Sequence, residues 1–389
     1  MSAQATVTVT HRGAERVRAG HPWVFAGDVK SEPSNGPELV RVVDGSNRLL
    51  GTALYAPQSP LRLRLLGPGE LTLDTALLRT RLAAALARRR AMFPTADAFR
   101  WVHGEADQLP GLVIDVYGDV AVIQTGARAM DTREPELAAL AEELLPARLV
   151  VSRDDGSTRD LEGLPRRSGV LRGSGSTKIA YHDAGSVMTV DVLTDGKTGG
   201  YLDQLENHAR ACGYAFGDAL DAFTYHGGFA LALARGGARS VLALDESDAA
   251  CGRARANAVA NGLGQVEVQC DNAFDALRRL EGQGRQFDVV VVDPPALAKR
   301  KSGPQVAERA YKELTLRALR LTRPGGVVVT CSCSGKMTPS LFGEVVESAV
   351  RDVGRPVQVL ERTGAGRDHP ALCGVPETDY LKAWFLRVL

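Results

Sequence analysis

The sequence predicts an α/β protein whose C-terminal half forms a doubly wound, parallel sheet. Two observations lead to this fold class. From about Leu202 onwards, strand-like and helix-like segments alternate regularly, which is typical of a parallel sheet with helices on both faces. Before that point, short strands broken by turns are followed by a mixture of helices and a hairpin. The chain therefore divides into three parts, 1–70, 71–190 and 191–389.

The composition fits a multidomain protein without a dominant charge. The chain has 389 residues, 44% of them hydrophobic, and a formal net charge of +1. That length allows two or three cores, and the near-neutral charge means that any nucleic-acid surface must be a local basic patch. The first residues lack a charged leader followed by an apolar core, and no apolar run approaches the roughly 18 residues of a membrane span. We therefore expect a soluble, cytoplasmic protein that does not enter a membrane.

The cysteines do not indicate a metal site. They contain no Cys-x-x-Cys pair, and no histidines cluster at zinc-ligand spacing, so no metal is predicted. Three of them fall in apolar or helical patterns and are expected to be small core residues. These three are Cys212, Cys251 and Cys270, and the other cysteines are Cys331, Cys333 and Cys373.

The first part of the chain is β-rich. Strands are predicted at 6–10, 39–43, 49–55 and 61–66. Between the first two lies His21-Pro22-Trp23-Val24-Phe25, whose aromatic residues we assign to a small core. Arginines beside strands commonly hold phosphates, which is how we interpret the arginines of this part. They are Arg12, Arg16, Arg18, Arg41, Arg48, Arg62 and Arg64.

The second part begins with a capped amphipathic helix. Asp74 is its predicted N-cap, and the apolar periodicity continues to about Met92. Arg88-Arg89-Arg90 lies near its end and is interpreted as a solvated face that complements the helix dipole. A hairpin is predicted around Gly118-Asp119. The remaining predictions are a helix over 133–145, strands at 149–153 and 187–192, and an exposed loop over 163–176.

The third part carries the alternating elements. Strands are predicted at 219–223, 240–245, 266–269, 287–292 and 327–330, and helices at 228–235, 249–261, 273–280 and 306–321. In such a sheet, ligands bind beyond the carboxyl ends of the strands. The residues that follow each strand are therefore the candidates for a binding site.

Acids and glycines follow the strands in an order that indicates S-adenosylmethionine. The first strand runs into a turn from Asp221 to Gly228 whose glycines let a ligand approach the backbone, although it lacks the Gly-x-Gly-x-x-Gly pattern of dinucleotide sites. Asp245 is placed to accept two ribose hydroxyls, and Asp271-Asn272 to recognise an adenine edge. On these grounds the cofactor residues are Asp221, Phe223, Gly227, Gly228, Asp245, Asp271, Asn272 and Asp293.

Two further motifs indicate modification of a base. Asp293-Pro294-Pro295 and Thr330-Cys331-Ser332-Cys333-Ser334 each follow a buried strand, so both should reach the same rim of the sheet. Asp-Pro-Pro gives a rigid, extended backbone beside a planar base, and Asp293 with the Pro294 carbonyl can hydrogen-bond an exocyclic amine. A thiolate can add to carbon 6 of a pyrimidine and thereby activate carbon 5 towards a methyl donor.

The choice of thiol and base stays open at this point. Cys331 and Cys333 have the same parity, so they face one side if the strand continues. We prefer Cys333 as the nucleophile because it lies nearer the carboxyl end, and Cys331 remains the alternative. Asp293 or Cys331 is the candidate acceptor of the carbon 5 proton. Lys299, Arg300 and Lys301 are assigned to phosphates that flank the base.

Nearly the whole chain resembles the RlmI-like family of bacterial and archaeal 23S ribosomal RNA cytosine-5 methyltransferases. The resemblance rests on His21-Pro22-Trp23-Val24-Phe25, on the stretch from Glu105 to Leu112, and on the stretch from Lys197 to Gln204. It implies a Rossmann-like class I methyltransferase sheet preceded by a small PUA domain that binds RNA and a central α+β domain. It also implies that Asp203 and Gln204 approach the cofactor, that Cys333 lies in the family's Ser-Cys-Ser motif, and that 23S ribosomal RNA is the partner.

The chain departs from the family pattern at three positions. Leu205 and His208 stand where arginines are usual, and His226 stands where a threonine is common. Two alternatives stay open: methylation of guanine N7, which uses a similar sheet without a covalent nucleophile, and an RNA-binding factor with an inactive methyltransferase fold. The intact Asp221, Asp245 and Asp293 argue against the second. The sequence leaves the target nucleotide and the oligomeric state open, a homodimer included.

Overall fold

A computed structural model describes residues 5–33, 36–297 and 304–389. The chain folds into two compact units. The first unit comprises 1–179, 190–200 and 368–375, and the second comprises 180–189, 201–367 and 376–389. No helix within the described ranges combines the length and the apolarity needed to cross a membrane.

The first unit begins with a six-stranded sheet of order β2-β6-β5-β4-β1-β3. Its elements are β1 (Thr6–Val9), α1 (His11–Arg18), β2 (Trp23–Phe25), β3 (Val29–Ser31), β4 (Leu39–Val43), β5 (Leu49–Tyr55) and β6 (Leu61–Gly67). Alternation places Val7, Val40 and Leu63 on the buried face, as expected for strands with one face in a core. Helix α1 was not predicted; Thr10 caps it by accepting a hydrogen bond from the Gly13 amide.

The same unit continues with a five-stranded sheet of order β11-β10-β9-β8-β7. Its elements are α2 (Thr75–Met92), β7 (Ala98–His103), β8 (Leu112–Tyr117), β9 (Val120–Thr125), α3 (Arg128–Asp131), α4 (Glu134–Leu144), β10 (Leu149–Asp154) and β11 (Arg167–Gly173). The predicted cap and hairpin are confirmed, since Asp74 accepts from the Leu77 amide and Tyr117 pairs with Val120. The predicted loop over 163–176 is wrong, because β11 pairs there with the buried strand β10.

The interpretation of the arginines also changes. Within the cluster at the end of α2, Arg88 and Arg90 are exposed as expected, but Arg89 is 1% exposed and donates to both carboxylate oxygens of Asp107. Each of the arginines assigned to phosphates has a carboxylate within 4.0 Å, from Arg12 with Asp28 to Arg64 with Glu105. These pairs neutralise the arginine charge locally and compete with any phosphate.

A two-stranded sheet, β12 (Lys178–Asp183) with β13 (Ser186–Asp191), precedes the main sheet of the second unit. That sheet has the order β16-β15-β14-β17-β18-β20-β19. Its strands are β14 (Asp218–Ala222), β15 (Ser240–Asp245), β16 (Val266–Cys270), β17 (Phe287–Val292), β18 (Thr322–Ser332), β19 (Val357–Thr363) and β20 (Lys382–Val388). The helices are α5 (Leu205–Cys212), α6 (Gly228–Arg235), α7 (Asp248–Ala260), α8 (Ala273–Gly282), α9 (Pro304–Leu321) and α10 (Pro339–Val353).

The predicted parallel strands pair in one sheet as expected, and the end of the chain adds an antiparallel edge. Strand β20 inserts between β18 and β19 and runs antiparallel to both. Helix α10 and strands β19 and β20 had no counterpart in the sequence prediction. Of the cysteines assigned to the core, Cys251 is buried, Cys212 is half-buried and Cys270 is exposed.

Candidate active site

The two base-modification motifs meet at one rim of the second unit. Strands β17 and β18 are parallel neighbours, and Val292 pairs with Thr330. Asp293 and Cys331 therefore leave adjacent strands at the same level. Just beyond them, the Cys333 sulfur lies 3.9 Å from the carbonyl oxygen of Pro294. The expectation that the motifs meet at one edge of the sheet is confirmed.

The environment distinguishes the two thiols. Strand β18 ends at Ser332, so the shared orientation expected from a continuing strand does not extend to Cys333. Cys331 is fully buried, and burial together with the nearby carboxylate of Asp293 raises its pKa well above the ordinary value. Cys333 is half-buried. A thiol that must ionise and touch a substrate is better placed at Cys333.

A chain of hydrogen bonds fixes the carboxylate of Asp293. Gln204 Nε2 donates to Asp293 Oδ2 at 2.9 Å, and Gln204 Oε1 accepts from Asn207 Nδ2 at 2.7 Å. Asn207 in turn accepts from the Thr363 hydroxyl at 2.8 Å. The side-chain amides of Gln204 and Asn207 are each oriented by these hydrogen bonds. Asp293 is therefore held at the end of β17 by residues outside that strand.

Asp203 lies beside this chain and is anchored through both its side chain and its backbone. The Tyr380 hydroxyl donates to Asp203 Oδ2 at 2.8 Å, and the Gly366 amide donates to the Asp203 carbonyl at 3.0 Å. Tyr380 was not singled out from the sequence. Tyr380 reaches this site because it lies just before β20, which pairs with β18.

The glycine-rich turn after β14 adopts an unusual backbone conformation. Phe223 and Tyr225 have φ values of 73° and 50°, and Gly227 has a φ of 93°. Left-handed conformations cost a non-glycine residue free energy and tend to occur at functional sites. The turn is held in part by Asp245, whose Oδ2 accepts from the Tyr225 amide at 2.9 Å. Such a loop keeps its backbone close to whatever occupies the rim.

Asp221, the last acid of β14, suits a cationic ligand group. It is fully buried, and burial raises its pKa to about 7 while a hydrogen bond from the Thr224 hydroxyl opposes that change. Its Oδ1 atom makes no hydrogen bond within the part of the chain that the structure describes. An amino group, such as that of S-adenosylmethionine, would supply both the missing donor and the compensating charge.

The ends of β15 and β16 hold the other predicted cofactor residues. The Asp245 carboxylate also accepts from the Ser247 amide at 2.9 Å, so both of its oxygens are oriented. Asp271 pairs with Arg279 at 2.6 Å. Asn272 caps α8 by accepting from the Phe274 amide at 3.1 Å. The last two side chains therefore already have structural partners at this rim.

A buried histidine closes the other side of the turn. His208 Nδ1 lies 2.7 Å from Asp183 Oδ2, and the His208 ring packs edge-on against Phe229 with centroids 4.5 Å apart. A Cβ atom on Gly228 would lie 2.3 Å from His208 Cε1, so glycine is required there. The sequence marked His208 only as a departure from the family pattern. The pairing with Asp183 was not predicted.

The predicted substrate residues have different standing. Pro294 is buried and Pro295 is exposed. Lys299 and Arg300 lie outside the described residues.

One further polar side chain, Lys382, is buried at the start of β20 and was not predicted from the sequence. The signal was present, because a single lysine stands in the otherwise apolar run from Leu381 to Leu386.

Two family models and several curated proteins match this chain. A PUA-like domain model matches residues 7–67, and an S-adenosylmethionine-dependent methyltransferase model matches residues 171–387. Ribosomal RNA large subunit methyltransferase I of Alteromonas mediterranea is 34% identical over 391 residues, which cover 98% of each chain. The protein of the same name from Shewanella amazonensis is 36% identical over 378 residues, covering 95% of each chain.

Solved structures share the fold along the whole chain. A methyltransferase determined in complex with SAH has a TM-score of 0.87 and 19% identity, with 99% of this chain and 100% of that chain covered. An S-adenosylmethionine-dependent methyltransferase from Streptococcus mutans has a TM-score of 0.86 and 18% identity, with the same coverage. At this identity the likeness concerns the fold.

Proposed function

This chain belongs to the ribosomal RNA large subunit methyltransferase I family, and from that premise we propose that it methylates carbon 5 of a cytosine in 23S ribosomal RNA. The protein is an S-adenosylmethionine-dependent methyltransferase. The name of its relatives supports ribosomal RNA as the substrate, and the PUA-like domain supports RNA binding. In the three-part division of the sequence, 1–70 would bind RNA and 191–389 would carry out the transfer.

The cofactor supplies an electrophilic methyl group, and the chain's own residues must do the rest. Asp203, Gln204, Asp221 and Asp245 would orient the cofactor, with Phe223, Gly227, Gly228, Asp271 and Asn272 lining it. Asp293 and the carbonyl of Pro294 would accept hydrogen bonds from the exocyclic amine of a cytosine removed from its stack. Pro295 would lie against the base, and Lys299 and Arg300 would contact the flanking phosphates.

Cys333 would provide covalent catalysis. Its thiolate adds to carbon 6, a sulfur–carbon bond forms, and the displaced π electrons make carbon 5 nucleophilic. After methylation, loss of the carbon 5 proton expels the thiolate and restores the ring. The observation that carries this proposal is the position of the Cys333 sulfur, 3.9 Å from the Pro294 carbonyl and beyond the end of β18.

Trapping on modified RNA tests the chemistry. Ribosomal RNA containing 5-azacytidine has nitrogen at position 5, so no carbon 5 proton can be lost and the covalent adduct accumulates. We expect a stable protein–RNA adduct with the unmodified protein and with Cys331→Ala, and none with Cys333→Ala. An adduct that depends on Cys331 instead would reassign the nucleophile.

A second experiment tests the product. Mass spectrometric mapping of 23S ribosomal RNA, before and after incubation with the protein and S-adenosylmethionine, should reveal one new 5-methylcytosine. Full methyl transfer by the double variant Cys331→Ala, Cys333→Ala would overturn the covalent route. A new methyl group on guanine N7 would instead identify the alternative reaction.

A further inference from the structure

Lys382 is a buried cation at the cysteine rim, and neither the sequence motifs nor the mechanism above uses it. It is 4% exposed and lies opposite Ser332 in the register of β18 and β20. Its Nζ donates to the carbonyl oxygens of Ser334 and Tyr380, each at 2.8 Å. Both of these hydrogen-bond partners are backbone carbonyl groups and not carboxylates. A buried lysine without an acidic partner is costly to keep charged.

The ammonium group of Lys382 lies next to the residue that follows Cys333. Ser334, whose carbonyl it binds, directly follows Cys333. Burial lowers the pKa of Lys382 to about 8, while a thiolate at Cys333 and the carboxylate of Asp379 act in the opposite direction. A negative charge at Cys333 or Asp379 therefore favours the charged lysine in this place, in addition to the two carbonyl oxygens that accept its hydrogen bonds.

Two acidic groups at this rim oppose ionisation of the thiol. Negative charge on Asp293 or on Cys331 would repel a thiolate at the same rim, and the phenols of Tyr201 and Tyr311 are neutral. The described groups with electrostatic influence on these residues include Asp203, Asp221, Asp293, Asp379, Tyr201, Tyr225, Tyr311, Cys331, Cys333, Lys382 and His208, the last through Asp221 and Asp293. Of the two groups in this set that can carry positive charge, His208 is paired with Asp183, whereas Lys382 binds the carbonyl of Ser334, directly after Cys333.

We propose that Lys382 is a positioning residue that stabilises the thiolate of Cys333. Its ammonium group binds the carbonyl of Ser334, one residue after Cys333, and its positive charge there lowers the free energy of the thiolate relative to the thiol. Opposite charges on the two groups attract each other, so ionisation of the thiol and protonation of the amine favour one another. The inference rests on the proposed function only where it assigns this thiolate to attack on the cytosine ring.

The alternative is that Lys382 merely anchors two carbonyl groups. Lys382→Gln separates the two ideas, because a glutamine amide can still donate to a carbonyl oxygen but carries no charge. Lys336→Gln is the matched control, since Lys336 lies three residues after Cys333 but is exposed to water. Lys382→Arg tests whether another cation restores the effect.

The experiment measures the rate of iodoacetamide alkylation of Cys333 as a function of pH in the full-length protein without RNA. Fragment ions in tandem mass spectrometry distinguish Cys333 from Cys331, and Cys333→Ala confirms the assignment. For Lys382→Gln we expect the pH midpoint to rise by about 1 to 3 pH units. Lys336→Gln should leave it unchanged, and Lys382→Arg should return it towards that of the unmodified protein.

An unchanged midpoint in Lys382→Gln would overturn the proposal and leave Lys382 an anchor. Thermal unfolding shows whether Lys382→Gln folds. If it does not, Lys382→Arg is compared with Lys336→Gln. A pH midpoint that is raised in Lys382→Arg, which keeps the positive charge, contradicts the proposal. A failure of the proposed function would give a different result. If Cys333 were not the catalytic nucleophile, methyl transfer would survive Cys333→Ala, while the pH midpoint of Cys333 alkylation would still depend on Lys382.

Discussion

The sulfur of Cys333 and the carbonyl oxygen of Pro294 lie 3.9 Å apart although 39 positions separate them in the chain. The contact exists because β17 and β18 are parallel neighbours whose carboxyl ends finish together. It joins a backbone acceptor suited to a base amine with a thiol suited to attack a ring carbon. The catalytic proposal depends on this juxtaposition.

A second carboxylate beside Asp293 should weaken cofactor binding. In Gln204→Glu the donor that lies 2.9 Å from Asp293 Oδ2 is replaced by an oxygen that repels it. We expect the dissociation constant for S-adenosylmethionine, measured by isothermal titration calorimetry, to rise by about tenfold or more, which corresponds to about 1.4 kcal/mol. Gln283→Glu adds the same charge at an exposed position and should bind normally. Equal affinity in both variants would refute a role for Gln204 at this site.

A methyl group on Gly228 should collide with His208. The added Cβ would lie 2.3 Å from His208 Cε1, and the ring is held by Asp183. We expect Gly228→Ala to lower the free energy of unfolding by about 1–3 kcal/mol in urea denaturation. The double variant with His208→Ala should recover part of that loss.

Another glycine provides the control for this experiment. Gly252 lies on the exposed side of α7 with no atom near its Cβ position, so Gly252→Ala should stabilise the protein by about 0.5–1 kcal/mol. A Gly228→Ala variant as stable as Gly252→Ala would show that the contact with His208 is not limiting.

The buried acid Asp221 should make the protein less stable as the pH rises. Its pKa is about 7 in the fold, against 3.8 in an unfolded chain, because burial disfavours the carboxylate. Between pH 4 and 7 the unfolded state therefore releases a proton that the folded state retains, so the free energy of unfolding falls with pH at this residue.

Asp221→Asn removes that dependence. We expect its stability advantage over the unmodified protein to grow between pH 5 and 7.5, to about 1–3 kcal/mol, while its affinity for S-adenosylmethionine falls. Asp275→Asn, at an exposed acid, should show neither change. An advantage that does not vary with pH would mean that Asp221 is already ionised in the folded protein.

Two adjacent arginines at the end of α2 should differ sharply in their contribution to stability. Arg89 is buried, forms two hydrogen bonds with Asp107 and donates to the Asp368 carbonyl at 2.8 Å, whereas Arg90 is exposed. Without Arg89 the buried carboxylate of Asp107 keeps only the contact with the half-exposed Arg88, so Arg89→Met should cost about 3–5 kcal/mol in denaturant unfolding. Arg90→Met should cost less than about 1 kcal/mol. Similar losses in the two variants would contradict this assignment.

Much of the parallel sheet was determined by the sequence alone. A continuous apolar run such as 287–292 can be buried on both faces only in a covered sheet, and Asp-Pro-Pro must end it because proline cannot continue the strand. Periodicity and capping signals act over a few residues, so they predicted β15, β17 and α6 to the residue. They also placed Asp221, Asp245 and Asp293 at strand ends.

Tertiary structure alone decided how distant residues are used. Arg89 was assigned to solvent because its helical position allowed it, yet a carboxylate from a separate turn, Asp107, draws it into the interior. The opposite strand β20 brings Lys382 to the cysteine loop, and that pairing leaves no local signal beyond one lysine among apolar residues. Local patterns therefore determined which elements form and where they end. The charge environment of Cys333 depends on contacts between residues far apart in the chain, because electrostatic interactions act through space rather than along the sequence.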